Sequence, residues 1–120
     1  MRRTLAITAL LLSALTLATA CGEDEAPTPG GTEPEVIDVV FEGDTVSPSG
    51  ERVEVSRGQE VQLAITADAP GEIHVHSDPE QELQYAEGTT TVTIQGIDQP
   101  GTVDVESHDL DKVIVQLEVS

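Results

Sequence analysis

The chain has 120 residues, 23 of them acidic and five basic, for a formal charge of −18 at pH 7. Such a balance, with no basic patch, argues against nucleic-acid binding and adsorption to anionic lipid, both of which need clustered Lys and Arg. A single cysteine excludes an internal disulfide, and with Phe41 and Tyr85 as the only rings besides histidine the core must be built from Val, Ile, Leu and Ala.

At the N-terminus, Arg2 and Arg3 precede an uncharged apolar run over residues 5–18, and the small residues Ala18, Thr19 and Ala20 stand directly before Cys21. This is the layout of a secretory signal. The run falls short of the roughly 20 apolar residues that a spanning helix needs. Residues 1–20 are therefore expected to be removed on export, leaving Arg52, Arg57 and Lys112 against all 23 acids. The segment Leu17-Ala18-Thr19-Ala20-Cys21-Gly22 resembles a bacterial lipobox, which implies acylation of Cys21 and an extracytoplasmic chain anchored to the cell membrane through its N-terminal lipid. Two acyl chains suffice for stable anchoring. The same small residues also suit the ordinary signal peptidase, which would leave a secreted chain with a free thiol at Cys21. Residues 21–34 mix Pro, Gly, Thr and acid without apolar periodicity and read as a solvated tether.

Residues 35–120 form the one expected domain, of a size that folds alone but with little to spare. Apolar residues there alternate with polar ones: Val53 and Val55; Val61, Leu63 and Ile65; Val92 and Ile94; Val103 and Val105; Val113, Val115, Leu117 and Val119. Period two, rich in β-branched residues, predicts half-buried antiparallel strands. Turn residues punctuate the runs at Ser47-Pro48-Ser49-Gly50, Arg57-Gly58-Gln59, Ala69-Pro70-Gly71, Asp78-Pro79-Glu80, Glu87-Gly88 and Gln99-Pro100-Gly101. The spacing predicts an all-β sandwich of about seven or eight strands, and no window carries a helical stripe.

Within this order, Gly58-Gln59-Glu60 leads into Val61–Ile65, followed by the histidine strand Glu72-Ile73-His74-Val75-His76. Pro100-Gly101-Thr102-Val103-Asp104-Val105 then leads to Glu106-Ser107-His108 and a last strand. The sequence from about Val36 to Val119 resembles the cupredoxins, and especially the small actinobacterial cupredoxin-like lipoproteins. That resemblance implies a Greek-key β-sandwich and places His74 at the first copper-ligand position and His108 at the second. The position of the family's thiolate ligand falls near Ser107, and Met1 is the only methionine. A blue-copper centre needs that thiolate for its trigonal geometry and tuned potential. Type-1 electron transfer is therefore not expected.

A metal site without the thiolate is the first functional expectation. Residues two apart on a strand share a face, so Glu72, His74 and His76 form one stripe, and Glu106 with His108 forms a second if the strand runs on regularly. Three imidazoles with two assisting carboxylates suit Cu(II) or Zn(II). The same alternation turns Ile73 and Val75 inward and the histidines toward solvent, where they need hold nothing. The second expectation is accordingly a metal-free structural or protein-interaction module working with a partner at the envelope. Asp104, Asp109 and Asp111 lack the glycine turn and closing glutamate of a calcium loop. Ser107 and His108 are adjacent, so they face opposite ways on a strand, and no oxyanion motif accompanies them. No enzymatic activity is expected.

Overall fold

The computed structural model describes residues 33–120; the expected export signal, Cys21 and the expected tether up to residue 32 lie outside the described residues. Alternation becomes strand throughout. Nine strands form: β1 (Glu35–Glu42), β2 (Thr45–Ser47), β3 (Glu51–Val55), β4 (Val61–Ala67), β5 (Gly71–Val75), β6 (Gln81–Tyr85), β7 (Gly88–Ile94), β8 (Gly101–Ser107) and β9 (Lys112–Val119). β1, β2 and β6 are the three that the alternating runs picked out above do not cover. β2 has a single apolar residue, Val46, and β6 carries Gln and Glu at three of its five positions.

The strands divide into a four-stranded sheet, β2-β1-β4-β7, and a five-stranded sheet, β3-β9-β8-β5-β6. Not all pairs are antiparallel as expected: β1 runs parallel to β4, and β3 runs parallel to β9. A half-buried strand has the same period whichever way its neighbour runs, so strand direction left no trace in the alternation.

β4 shows how the pattern makes the core. Val61, Leu63 and Ile65 are fully buried, while Gln62, Ala64 and Thr66 turn outward. Burying each such aliphatic side chain contributes about 1.5–3 kcal/mol. Its counterparts on the other sheet are Ile73 and Val75 of β5, Val105 of β8, and Ile114, Val115 and Leu117 of β9, all fully buried. Ile114 and Val115 are consecutive yet both buried, because β8 and β9 slip register between Val105 and Glu106. Such a bulge sets two residues against one. The two aromatic rings join the sheets: Phe41 of β1 stacks on Tyr85 of β6 with centroids 4.7 Å apart and planes 14° from parallel.

The edge strands β6 and β7 close one side of the sandwich through side chains. Gln81 accepts a hydrogen bond from the Gln95 backbone N–H (2.8 Å) and donates one to the Gln95 carbonyl (3.3 Å). The Ala86 N–H donates to Thr90 Oγ1 at 3.3 Å. On the opposite side, the Gly50 N–H bonds the Val113 and Ile114 carbonyls, both at 3.0 Å, tying the β2–β3 connection to β9.

Candidate metal centre

β5 lies inside the five-stranded sheet, with β8 on one side and β6 on the other. Its register with β8 sets Ile73 opposite Ser107, His74 opposite Glu106 and Val75 opposite Val105. Two further backbone bonds lengthen the ladder: His108 N–H to the Glu72 carbonyl (3.0 Å) and His76 N–H to the Asp104 carbonyl (2.9 Å). On the other flank, Glu72 faces Gln84 and His74 faces Glu82. Ile73, Val75, Val105 and Ser107 fill the inner side. Glu72, His74, His76, Glu106 and His108 therefore share the outer face.

His108 stands just past β8, and the turn that follows fixes it. Leu110 N–H donates to the buried Ser107 Oγ at 3.2 Å, and Asp111 takes a left-handed backbone (φ 52°). The Asp109 carboxylate accepts the Glu72 N–H at 3.0 Å, docking the turn on the start of β5. That contact is permitted by Gly71, where a Cβ would collide with both the Tyr85 hydroxyl and Asp109.

On this scaffold His74 Nε2 lies 2.7 Å from Glu72 Oε1, and its ring stacks on that of His108 with centroids 4.6 Å apart and 28° between the planes. One donor atom each from Glu72, His74 and His108 lies within 4.8 Å of the others. His76 and Glu106 stand apart from this group and bond each other, Nε2 to Oε2, at 3.0 Å. The five expected ligands thus fall into two sets. Both cross-strand contacts, His74 to His108 and His76 to Glu106, run along the same diagonal of the β5–β8 ladder. Diagonal neighbours are within reach of long or aromatic side chains. Face-sharing was legible in the alternation; the choice of diagonal was not.

Two carboxylates that the sequence did not single out complete the surroundings. Glu80 Oε1 lies 3.9 Å from His74 Nδ1 and 3.7 Å from His76 Nδ1, and Glu82 Oε1 lies 3.8 Å from His74 Nε2. Recognising β6 as a strand paired to β5 would have found Glu82, which sits directly opposite His74. The hydrogen bond that His74 donates to the Glu72 carboxylate holds the imidazole above its ordinary value; desolvation opposes it, and the charges of Glu72, Glu82 and Glu80 reinforce it. The same bond holds Glu72 below the ordinary carboxylate value, against desolvation and with help from Gln84.

No protein-family model matches the chain, and no curated protein matches it. Solved structures do. A reduced Cu(I) form of an amicyanin point mutant at pH 4 aligns over 71% of this chain and 82% of its own, at 11% identity and a TM-score of 0.52. A second reduced amicyanin mutant gives the same coverage and TM-score at 12% identity. A purple cupredoxin from Nitrosopumilus maritimus aligns over 69% of this chain and 98% of its own, at 13% identity and a TM-score of 0.48. The fold is cupredoxin-like. At these identities the likeness concerns the sandwich and not its ligands.

This cupredoxin-like sandwich departs from a thiolate centre in a way that a single substitution would not undo. Ser107 is fully buried on the inner face, with His74 and His108 on the outer one, so a thiolate at position 107 would point away from both imidazoles. The donors that do converge are two imidazoles and a carboxylate, a set suited to Cu(II) or Zn(II). Metal bonds of roughly 2 Å hold neighbouring ligand atoms about 3–4 Å apart. Closing the group on an ion therefore takes side-chain movements on the order of 1 Å. The stacked rings hold their lone pairs in two planes only 28° apart, so one ring has to tilt for both to meet a single ion. His108, exposed and beyond the end of β8, is the ring free to do so. The residues present fit a divalent ion held by Glu72, His74 and His108.

Proposed function

We propose that this chain is an extracytoplasmic, lipid-anchored cupredoxin-like lipoprotein that binds a divalent metal ion, copper first among the candidates, without blue-copper electron transfer. The anchor is Cys21, acylated after removal of residues 1–20, with residues 21–34 lifting the domain off the membrane. The observation that carries the metal reading is the convergence of Glu72, His74 and His108, whose donor atoms lie within 4.8 Å of one another. Solved structures of similar fold include a reduced Cu(I) form of an amicyanin, but the preference for copper here rests on the donor atoms of this chain. A nitrogen and oxygen donor set favours Cu(II) or Zn(II), and Cu(II) binds more tightly at a given site. Storage, delivery or sensing of the ion fits such a site; catalysis does not.

Calorimetric titration of Cu(II) into the chain and into its His74→Ala and His108→Ala variants tests this reading. Each variant should weaken binding at least about tenfold, since losing even an outer partner of a ligand costs that much. His76→Ala should leave the affinity unchanged. Equal affinities across the wild-type, His74→Ala and His108→Ala chains would sink the shared site.

One observation favours the second reading, a metal-free structural or interaction module at the envelope. His74 and His76 each have carboxylates facing both ring nitrogens, so the polar face is satisfied without an ion. In that case one equivalent of Cu(II) or Zn(II) leaves the melting temperature where it was, whereas an ion bound only by the native state must raise it.

A further inference from the structure

We propose that the open edge of β3 is an interface for a second copy of this chain, which adds antiparallel and makes one sheet continuous through both copies. Among the described residues β3 pairs with β9 alone. Ser120 N–H donates to the Val55 carbonyl at 3.1 Å, so Val55 turns its backbone toward β9. Backbone groups along a strand point alternately to its two sides. Glu51 and Val53 therefore face β9 as well, and Arg52 and Glu54 present both N–H and C=O to the open side. An open cleft of about 860 Å³ runs along β3 and the end of β9 and reaches Glu35.

The edges at β6 and β2 are managed. β6 is closed on β7 by Gln81 and Thr90, and β2 is three residues long. Glu51–Val55 holds no Pro, no Lys and no bulge, and its exposed charges, Glu51, Arg52 and Glu54, are of both signs. β1 also leaves an edge open, at Val36 and Asp38, since Glu35 N–H is turned to the Glu60 carbonyl. A copy added there brings only Val and Asp to face Asp and Val.

At β3 the sequence Glu51-Arg52-Val53-Glu54-Val55 is complementary to itself. A two-fold axis through Val53 sets Arg52 opposite Glu54 of the second copy and Glu54 opposite its Arg52. Both are outward-pointing residues, so each becomes a hydrogen-bonded pair that exchanges both backbone bonds. Both side chains are exposed on the solvent face, where opposite charges across strands attract. Half-buried Val53 meets its own mate and is covered by it. Moving the register by two residues in either direction sets Arg52 against Arg52 or Glu54 against Glu54. Only the central register pairs opposite charges, and an isologous contact of this kind closes at the dimer.

The edge and the histidine face are separate, with β9 and β8 between β3 and β5, so the interface stands whether or not an ion binds. Sedimentation equilibrium of the purified chain over a concentration series tests it, with circular dichroism to confirm that each variant is folded. The expected result is a dimer whose dissociation constant rises about tenfold in Arg52→Glu and in Glu54→Arg, each of which creates like-charge pairs. The doubly substituted R52E/E54R chain should recover the wild-type value. Glu54→Pro, which removes an outward N–H and leaves the β9 ladder intact, should give monomer. A chain that stays monomeric throughout, or a dimer that the double exchange fails to restore, overturns the proposal; a mass increase only on adding a basic peptide assigns the edge to a foreign strand and does so too.

Discussion

At the scale of single residues, the Glu72–His74 bond governs how the outer face responds to pH. Glu72 is held below its ordinary value of 4.5 by His74, so its contribution to stability is present above that value and is lost as pH falls through the depressed one. His74 is held above 6.5, first by Glu72, so its contribution is present below 6.5 and is lost as pH rises through the elevated value. Together they predict a metal-free stability maximum between about pH 4.5 and 6.5 that declines toward alkaline pH. Urea midpoints across that range check it, and His74→Ala should flatten the profile. Cu(II) competes with the same proton, so its affinity should rise with pH over the range in which metal-free stability falls. Gly71 is the other residue on which the site depends. Gly71→Ala drives a methyl into the Tyr85 hydroxyl and Asp109, and the overpacking should cost about 1–3 kcal/mol in an unfolding titration.

At the scale of elements, period two told nearly everything about faces and little about neighbours. It separated Ile73 and Val75 from His74 and His76 correctly, and it put Leu63 and Ile65 in the core, where both are fully buried. It did not reveal that β3 runs parallel to β9. Nor did it mark β6, whose polar residues supply Glu82 to the site, because a strand with one face in water and few apolar residues resembles a loop in sequence. The bulge between β8 and β9 was likewise silent, since one extra residue in a run of Val and Ile leaves the composition unchanged. The closure of β6 on β7 shows how much rests on a polar residue outside the pattern. Gln81→Ala removes two hydrogen bonds to Gln95 and should destabilise the fold by about 1–3 kcal/mol, from about 0.5–1.5 per bond. Leu63→Ala, within the buried run of β4, should cost about 2–5 kcal/mol by the same measurement.

For the whole molecule, charge and copper affinity are the properties to be reconciled. Most of the chain's formal charge of −18 lies in a domain that has no disulfide and repels itself there, and salt screens that repulsion over about 10 Å at 0.1 M. The melting temperature should therefore rise as NaCl is added from low ionic strength. The same field draws divalent cations to many carboxylates, so bulk uptake of metal says little about a built site. What distinguishes one is the identity of the ligands. The resemblance to cupredoxins led to His74 and His108, and the sandwich is cupredoxin-like, yet the buried Ser107 keeps any thiolate analogue on the wrong face. The electron paramagnetic resonance spectrum of the chain with one equivalent of Cu(II) tests the central claim most directly. The expected spectrum is that of a non-blue centre with two coordinated imidazole nitrogens, reduced to one in either His74→Ala or His108→Ala and kept at two in His76→Ala. A spectrum unchanged by His74→Ala and His108→Ala, or altered by His76→Ala alone, would contradict it.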